Sequence, residues 1–333
     1  MITDRYDRRL NYLRISVTDK CNLRCTYCMP SDGVKILPHD EILRNEEFIH
    51  FIGIFSDLGV EKIRLTGGEP LKRKGFIDIV SKIREHFPHL EICITTNGVL
   101  LDEFIKDFYS LKVRKLNISL DTINPDRYQN ITRKNYFNRV ISNINMALNY
   151  NYFDIKINAV LFEESLKELN QFLDFFKEKD ITIRYIERMP FLIDDDLQTF
   201  ISSDVLIETL RKMGDLKRDA ESDTNVAVMF NFFYQNKYRM RIGIIPSISH
   251  KFCTKCNRLR LTCDGFLKTC LHSSVEYDLK TPYRMDMGDE ALKDIILTAI
   301  NDKEEGHNLN CPEKNNWGCS SIKSSRFMSR MGG

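Results

Sequence analysis

The sequence contains no apolar run long enough to cross a bilayer, and its first residues lack the apolar stretch of a secretory signal. It also has no excess of charge of one sign, since 49 Lys and Arg residues balance 47 Asp and Glu residues to a formal net charge of +2. That balance argues against a strongly basic nucleic-acid coat protein and against an acidic disordered tail protein. We therefore expect a cytoplasmic protein that acts on neither nucleic acid nor membrane. A local basic pocket for a phosphorylated small molecule stays compatible with these numbers.

The chain also lacks a linker rich in Gly, Pro or Ser and any low-complexity tract. Its 333 residues, of which 42% are hydrophobic, are enough for one large domain or two ordinary ones. A repeated strand-then-helix rhythm fills the first part of the chain and breaks at about Pro190. We therefore expect a core over residues 1–190 and a C-terminal region over residues 191–333 that packs on it.

Six apolar, often β-branched runs alternate with helical patterns through the core. Such alternation predicts a parallel sheet covered by helices, which right-handed crossovers would curl toward a barrel. A closed eight-stranded barrel needs about 250 residues, so this shorter stretch predicts an α/β fold, an open and partial (βα)6 barrel similar to a TIM barrel. The predicted strands are residues 13–17, 62–66, 91–95, 115–120, 154–161 and 181–186.

Weaker patterns predict further elements. Ser165 and Glu168 predict a capping box for the helix that follows them. Beyond the core, the patterns predict a helix at 204–212 and strands at 227–233 and 238–245.

Ten cysteines are better explained by metal binding or catalysis than by disulfides, if the compartment is reducing. Cys21, Cys25 and Cys28 lie within eight residues directly after the first predicted strand, where barrels of this kind carry their chemistry. Thiolates suit zinc and iron–sulfur clusters. Structural zinc takes four ligands, whereas three cysteines would leave one iron of a 4Fe–4S cluster open. A zinc site with a distant fourth ligand, or simply buried thiols, is the alternative.

The spacing of these cysteines, with three and then two residues between them, resembles the radical S-adenosylmethionine superfamily. Gly67 to Pro70, after the second strand, resembles the segment that receives the methionine amino group in that superfamily. The resemblance implies a reduced 4Fe–4S cluster that donates an electron to S-adenosylmethionine and so yields methionine and a 5′-deoxyadenosyl radical. It also implies that S-adenosylmethionine contacts Tyr27, Gly68, Ser119 and Met189. Taken singly, Gly68 would belong to an ordinary turn, Ser119 would be a hydroxyl satisfied at a strand end, and Met189 would fill the core.

Cys253, Cys256 and Cys270 form a second triad, for which a zinc knuckle is the alternative on chemistry alone. The segment from Cys256 to Thr262 resembles MoaA, the family of GTP 3′,8-cyclases. In that family the three cysteines hold another 4Fe–4S cluster with an open iron, where the guanine ring of GTP binds. The match makes Cys263 a small buried residue, leaves Cys311 and Cys319 without a role, and is loose over residues 190–252.

The end of the chain, Met328 to Gly333, resembles the family ending, which is thought to thread back into the active site. A frayed tail is the alternative.

A triphosphate requires several cations, and a charge that points into a barrel is costly unless it meets an anion. Each cation taken singly would more often be a surface charge. The resemblance implies catalytic roles for Arg258, Arg260, Gly332 and Gly333, and GTP contacts by Arg14, Arg64, Thr95, Lys156, Arg258 and Arg260.

The activity that the resemblance implies is conversion of GTP to (8S)-3′,8-cyclo-7,8-dihydro-GTP, the first step of molybdenum cofactor biosynthesis. Hydrogen is removed from ribose C3′, and the ribose radical adds to guanine C8. The implied cofactors are two 4Fe–4S clusters and S-adenosylmethionine. The implied partners are flavodoxin or ferredoxin as electron donor and cyclic pyranopterin monophosphate synthase as the next enzyme, and a homodimer is among the open oligomeric states. The alternatives are a peptide-modifying radical enzyme and a non-catalytic iron–sulfur or zinc protein.

Overall fold

The computed structural model describes residues 2–189, 200–224, 226–307, 309 and 328–331. Its strands, in chain order, are β1 (Tyr12–Ser16), β2 (Lys62–Thr66), β3 (Glu91–Thr96), β4 (Lys115–Ser119), β5 (Asp154–Leu161), β6 (Thr182–Glu187), β7 (Gly214–Arg218), β8 (Val228–Tyr234), β9 (Tyr238–Ile245), β10 (Arg258–Leu261), β11 (Phe266–Lys268) and β12 (Tyr277–Asp278). The helices are α1 (Asn45–Asp57), α2 (Phe76–His86), α3 (Leu101–Ser110), α4 (Pro125–Thr132), α5 (Phe137–Asn149), α6 (Glu163–Lys167), α7 (Leu169–Phe176), α8 (Ser203–Met213), α9 (Lys280–Arg284), α10 (Asp289–Asn301) and α11 (Met328–Met331).

Strands β1 to β6 lie side by side in chain order, and every neighbouring pair among them is parallel. The full sheet has the order β12-β11-β10-β1-β2-β3-β4-β5-β6-β9-β8-β7, and its two outermost strands do not pair with each other. The predicted open α/β barrel is therefore confirmed. Helices such as α1, α2 and α3 pack buried apolar side chains against the sheet and form its main core.

The second half of the chain extends both edges of this sheet. Strand β10 pairs in parallel with β1, and β9 pairs in parallel with β6. The predicted helix at 204–212 and strands at 227–233 and 238–245 correspond to α8, β8 and β9. The sequence patterns did not indicate β7, β10, β11 or β12, because these strands are short and partly polar. The division at residue 190 stays a prediction.

The predicted capping box at Ser165 and Glu168 is wrong. Ser165 lies inside α6, and its Oγ accepts a hydrogen bond from the backbone N–H of Phe162 at 3.1 Å. The Glu168 carboxylate instead accepts from the Thr122 hydroxyl and forms an ion pair of 2.7 Å with Arg127. The Glu168 carboxylate therefore binds residues of other segments, Thr122 and Arg127, and does not cap the helix as the local pattern predicted.

None of the helices in the described ranges combines the length and the apolar character needed to cross a membrane.

Leu65 tests the core of the barrel, because it lies on β2 and is fully buried. We expect Leu65→Ala to lower the free energy of unfolding by about 2–5 kcal/mol, since it leaves a cavity among rigid neighbours. The measurement is the midpoint of thermal unfolding of the metal-free protein. Leu297→Ala is the matched control, because Leu297 lies on α10 and is 43% exposed. Equal midpoints for the two variants would contradict the assigned core.

Candidate active site

A cavity of about 350 Å³ lies on the inner face of the barrel. Side chains alternate between the two faces of a strand, so the residues of a barrel strand that line this cavity are mostly two positions apart. On β5 the pattern is regular, with Lys156, Asn158 and Val160 toward the cavity and their neighbours buried in the core. The remaining strands contribute Tyr12, Arg14, Lys62, Arg64, Thr95, Lys115, Asn117, Ser119, Arg184, Arg258 and Arg260.

Three arginines on adjacent strands share one level of the sheet. Arg14 on β1 is the register partner of Arg64 on β2 and of Arg260 on β10. All three are buried, with exposed fractions of 8%, 4% and 4%. One step toward the N-terminal ends of the strands, Arg258 is the register partner of Tyr12. The parallel pairing of β10 with β1 therefore assembles the arginine cluster from residues more than 240 positions apart.

Burial destabilises these positive charges. It lowers the pKa of Arg14 well below its usual range, and the neighbouring Arg260 and Arg64 add to the effect. Burial likewise lowers the pKa of Arg260 to about 10, helped by Arg258, and that of Arg184 to about 10, helped by Arg64. A polyanion bound in the cavity would counter the repulsion between these guanidinium groups and offset the free-energy cost of their desolvation.

Tyr12 lies in the middle of this charge. The Arg64 Nε donates a hydrogen bond to its hydroxyl, and the Arg258 guanidinium lies 6.0 Å from its ring centroid. Burial raises the pKa of the Tyr12 phenol, but the charges of Arg64, Arg14 and Arg258 outweigh it and lower the pKa to about 8. Tyr12 was not singled out by the sequence patterns, although it stands two residues before Arg14 and so shares its face.

The structure brings all six predicted GTP-contacting residues into this one cavity. Arg64 donates to the Thr95 hydroxyl at 3.1 Å, so Thr95 also holds an arginine in place. Lys156 forms an ion pair of 2.7 Å with Asp154. Arg184 and Lys62 are further cations that the sequence patterns did not indicate, and their spacing on β6 and β2 is the signal that would have found them. Contact of these residues with GTP stays a prediction.

The first cysteine triad lies on the loop after β1 and is held by the segment after β2. The N–H of Gly68 donates to the carbonyl oxygen of Thr18 at 2.7 Å, and that of Glu69 donates to Lys20 at 2.8 Å. The approach is so close that a Cβ on Gly68 would lie 2.4 Å from the Lys20 carbonyl oxygen. The Glu69 side chain accepts from the Thr96 hydroxyl, and burial raises its pKa to about 7 against the pull of these donors.

The thiols of the first triad are half-buried and neighbour one another. Burial raises the pKa of Cys21 to about 11 and that of Cys28 to about 12, and it raises the pKa of Cys25 well above its usual range. The Asn97 side chain lies 3.8 Å from the Cys21 sulfur. Thiols so placed ionise only when a metal centre draws off the proton, which suits metal ligands.

The predicted cofactor contacts beside this triad also fall together. The Tyr27 hydroxyl donates to the carboxylate of Asp121 at 2.9 Å, and Tyr27, Ser119 and Met189 line the cavity. Asp121, whose burial raises its pKa, was not indicated by the sequence patterns. It follows β4 by two residues, at the strand ends where such sites form.

All three cysteines of the second triad line the cavity. Cys256 lies two residues before β10, and Cys270 lies two residues after β11. Because β10 runs parallel to β1, Cys256 lies at the N-terminal ends of the strands, whereas Cys21 lies beyond their C-terminal ends. The two triads thus flank the cavity, with the arginine cluster between them. Burial raises the pKa of Cys256, but the charges of Lys303 and Arg258 outweigh it and lower that pKa.

Across the described ranges, no three His, Cys, Asp or Glu side chains converge closely enough to hold a single metal ion. Each thiolate of a 4Fe–4S cluster binds a different iron, so ligands of a cluster need not converge on one point. The predicted set of six cysteine ligands stays a prediction. The predicted burial of Cys263 is confirmed, since it is fully buried.

Residues 328–331 lie against β1. The Ser16 hydroxyl donates to the carbonyl oxygen of Ser329 at 3.2 Å, Met331 is buried, and Met328 lines the cavity. Gly332 and Gly333, to which a catalytic role was assigned, lie outside the described residues, as do Cys311 and Cys319.

Comparison with known proteins agrees with this geometry. Residues 15–176 match the Radical SAM superfamily, and residues 181–309 match Molybdenum Cofactor Synthesis C. The GTP 3′,8-cyclase of Desulforamulus reducens is 39% identical over 99% of this chain and 99% of its own length. That of Clostridium perfringens strain 13 is 35% identical over the same shares.

Among solved structures, Streptococcus suis SuiB bound to S-adenosylmethionine aligns with a TM-score of 0.63 at 14% identity. The alignment covers 89% of this chain and 64% of SuiB, and it supports the fold alone. The two family matches together include both cysteine triads and, of the arginine cluster, Arg64 and Arg260. With relatives this similar over nearly their whole length, the chain belongs to the GTP 3′,8-cyclase family of the radical SAM superfamily.

Proposed function

We propose that the protein converts GTP to (8S)-3′,8-cyclo-7,8-dihydro-GTP, the first step of molybdenum cofactor biosynthesis. The observation that carries the proposal is the row of buried arginines, Arg14, Arg64 and Arg260, in a cavity that the second cysteine triad and Tyr27 of the first cysteine loop also line. The cavity offers positive charge for a triphosphate and the thiols of the second triad for a metal centre, and the first triad lies on the loop that carries Tyr27. The names of the two relatives given above supply the substrate and the type of reaction.

The two triads fit iron–sulfur clusters. All six cysteines are free and half-buried, and thiolates are the ligands that such clusters take. Cys21, Cys25 and Cys28 would hold the first 4Fe–4S cluster, and the second triad, formed by Cys253, Cys256 and Cys270, would hold another. When bound, these clusters and S-adenosylmethionine supply electron transfer, the hydrogen-abstracting radical and a binding site for guanine.

The chain itself orients S-adenosylmethionine. The backbone of Gly68 lies against the cysteine loop without a side chain in between, so it can receive the methionine part of the cofactor. The hydrogen bond from Tyr27 to Asp121 fixes the aromatic ring that would pack beside the adenine. Ser119 and Met189 would complete the cofactor contacts from the strand ends.

The buried cations hold the substrate. Arg14, Arg64 and Lys156 would bind the triphosphate, because forked guanidinium donors match phosphate oxygens. Arg258 and Arg260 lie two and four residues after Cys256, so they would hold GTP at the second triad and orient the ribose. Their catalytic part is to position C3′ and C8 against each other and to exclude water from the cavity.

The proposal extends to partners and location. Flavodoxin or ferredoxin would supply electrons, and cyclic pyranopterin monophosphate synthase would consume the product. Free thiols at this density suit a reducing compartment, so we place the reaction in the cytoplasm. The proposal includes the catalytic roles of Gly332 and Gly333 that the resemblance to the family ending implies. A homodimer is the oligomeric state to test first.

The direct test is anaerobic. The protein, reconstituted with iron and sulfide and then reduced, should convert S-adenosylmethionine and GTP to 5′-deoxyadenosine and a cyclised nucleotide of GTP. Mass spectrometry of the products measures both. Deoxyadenosine without change to GTP would move the substrate elsewhere. Neither product, with about eight irons bound per chain as two cubane clusters require, would favour a non-catalytic iron–sulfur protein.

Replacement of an arginine tests the substrate site. We expect Arg258→Ala or Arg260→Ala to abolish cyclisation and to weaken GTP binding by about 10- to 100-fold, because a charge-assisted hydrogen bond is worth about 1.5–3 kcal/mol. Iron content should stay that of the wild type. Arg241→Ala is the control, since Arg241 lies on β9 and pairs with exposed Asp180. Normal cyclisation by the Arg258 and Arg260 variants would rule out their assignment.

Gly68 tests the cofactor cradle. We expect Gly68→Ala to slow 5′-deoxyadenosine formation by about 100-fold, since displacement by about 1 Å at a reacting centre can cost that much. The cause is the clash of the new Cβ with the Lys20 carbonyl oxygen. Gly53→Ala serves as the control, because a Cβ at this position in α1 meets only the edge of the Phe87 ring at 3.3 Å. Equal rates for both variants would contradict the cradle.

A further inference from the structure

Arg8, a buried arginine near the start of the chain, donates hydrogen bonds to the backbone at the second triad. The Arg8 Nη1 donates to the carbonyl oxygen of Cys253 at 2.8 Å and to that of Glu305 at 2.7 Å. Its Nη2 donates to the carbonyl oxygen of Glu304 at 2.7 Å. Asp4 holds the guanidinium from the other side, with its carboxylate 2.6 Å from the Arg8 Nε. The guanidinium thereby joins the first cysteine of the triad to the turn at residues 304–305.

Lys303, a buried lysine, donates hydrogen bonds to the backbone of the segments that carry Cys256 and Cys270. The Lys303 ammonium donates to the carbonyl oxygen of Arg258 at 3.3 Å and to that of Thr269. Arg258 follows Cys256 by two residues, and Thr269 directly precedes Cys270. Lys303 is only 2% exposed, and among the described residues it forms no ion pair with a carboxylate. A buried ammonium in such a place needs a nearby negative charge.

The same turn covers the triad. A Cβ on Gly306 would lie 3.3 Å from the Cys253 Cβ and 3.5 Å from its sulfur. Residues 303–307 therefore pack beside Cys253, and the hydrogen bonds of Arg8 and Lys303 connect this turn to the cysteine segments.

We propose that Arg8 and Lys303 are positioning residues of the second metal centre, which hold its three cysteine segments together and set positive charge beside its thiolates. The inference rests on the proposed function, which places a 4Fe–4S cluster at this triad. The residues come from the first ten and from position 303 of the chain, outside both cysteine motifs. The N-terminal segment with Asp4 thereby becomes part of the metal centre.

Two consequences separate this role from general support of the fold. Loss of the hydrogen bonds from Arg8 or Lys303 to a cysteine segment weakens binding of the second cluster. Binding of the first cluster is unchanged, because the first triad is held by the segment at Gly68 instead. A missing charge at Lys303 disfavours the reduced, more negative state of the second cluster, so its reduction potential falls. Lys303→Arg keeps the charge and should keep the potential near that of the wild type.

The experiment uses the full chain and two readouts besides activity. Lys303→Met, Lys303→Arg and Arg8→Met are compared with two controls: Lys293→Met on α10, whose lysine pairs with exposed Glu290, and Arg9→Met, whose arginine pairs with exposed Glu61. The first readout is iron per chain with 5′-deoxyadenosine formation. The second is an electron paramagnetic resonance redox titration in chains that also carry Cys21→Ser, Cys25→Ser and Cys28→Ser, so that the second triad alone gives the signal.

We expect Arg8→Met and Lys303→Met to lose up to half of the bound iron, from about eight to about four atoms per chain, while 5′-deoxyadenosine still forms. Iron that remains at the second triad of Lys303→Met should titrate at a lower potential than in Lys303→Arg. Iron content and potential equal to those of the controls would overturn the inference. Loss of both clusters would make the two residues general stabilisers and would overturn it also. A wild-type chain with only about four irons would overturn the two-cluster function together with this inference.

Discussion

Positive charge buried inside an open barrel is the constraint on which the site depends. Arg14, Arg64 and Arg260 lie level on three adjacent strands with little solvent, and burial together with mutual repulsion disfavours their charged forms. Burial of several like charges at one level is costly, and an anion bound between them would lower that cost. The triphosphate of the proposed substrate, GTP, carries negative charge of the kind that would do so.

The sheet topology decides how the chemistry is distributed around that charge. Because β10 adds to β1 in parallel, the second triad enters at the N-terminal ends of the strands while the first stays beyond their C-terminal ends. A substrate whose phosphates lie on the arginines between them can present one part to each triad. The antiparallel strand β11 follows β10 and returns the chain to Cys270, and α10 leads to the turn at residue 303.

Each triad has its own support. The first depends on backbone pairing between the cysteine loop and the segment after β2, where glycine permits the close approach. The second depends on buried cations that bind carbonyl oxygens of its cysteine segments. This difference has a physical reason. The first triad spans eight residues of one loop, whereas the second spans eighteen and brings together separate segments.

The sequence by itself determined the six core strands, the two triads and the family. Strand alternation and cysteine spacing are local patterns, and the strands at 62–66 and 154–161 needed no tertiary information. Which charges share a level, which carboxylate binds Arg127, and which cations reach the second triad were decided only by the tertiary structure. Arg8 and Cys253 are 245 residues apart, and no local pattern encodes a pairing at that distance. Side-chain alternation restricts Arg14 to one face of β1, but the neighbours on that face are set by strand order, which the folded sheet alone fixes.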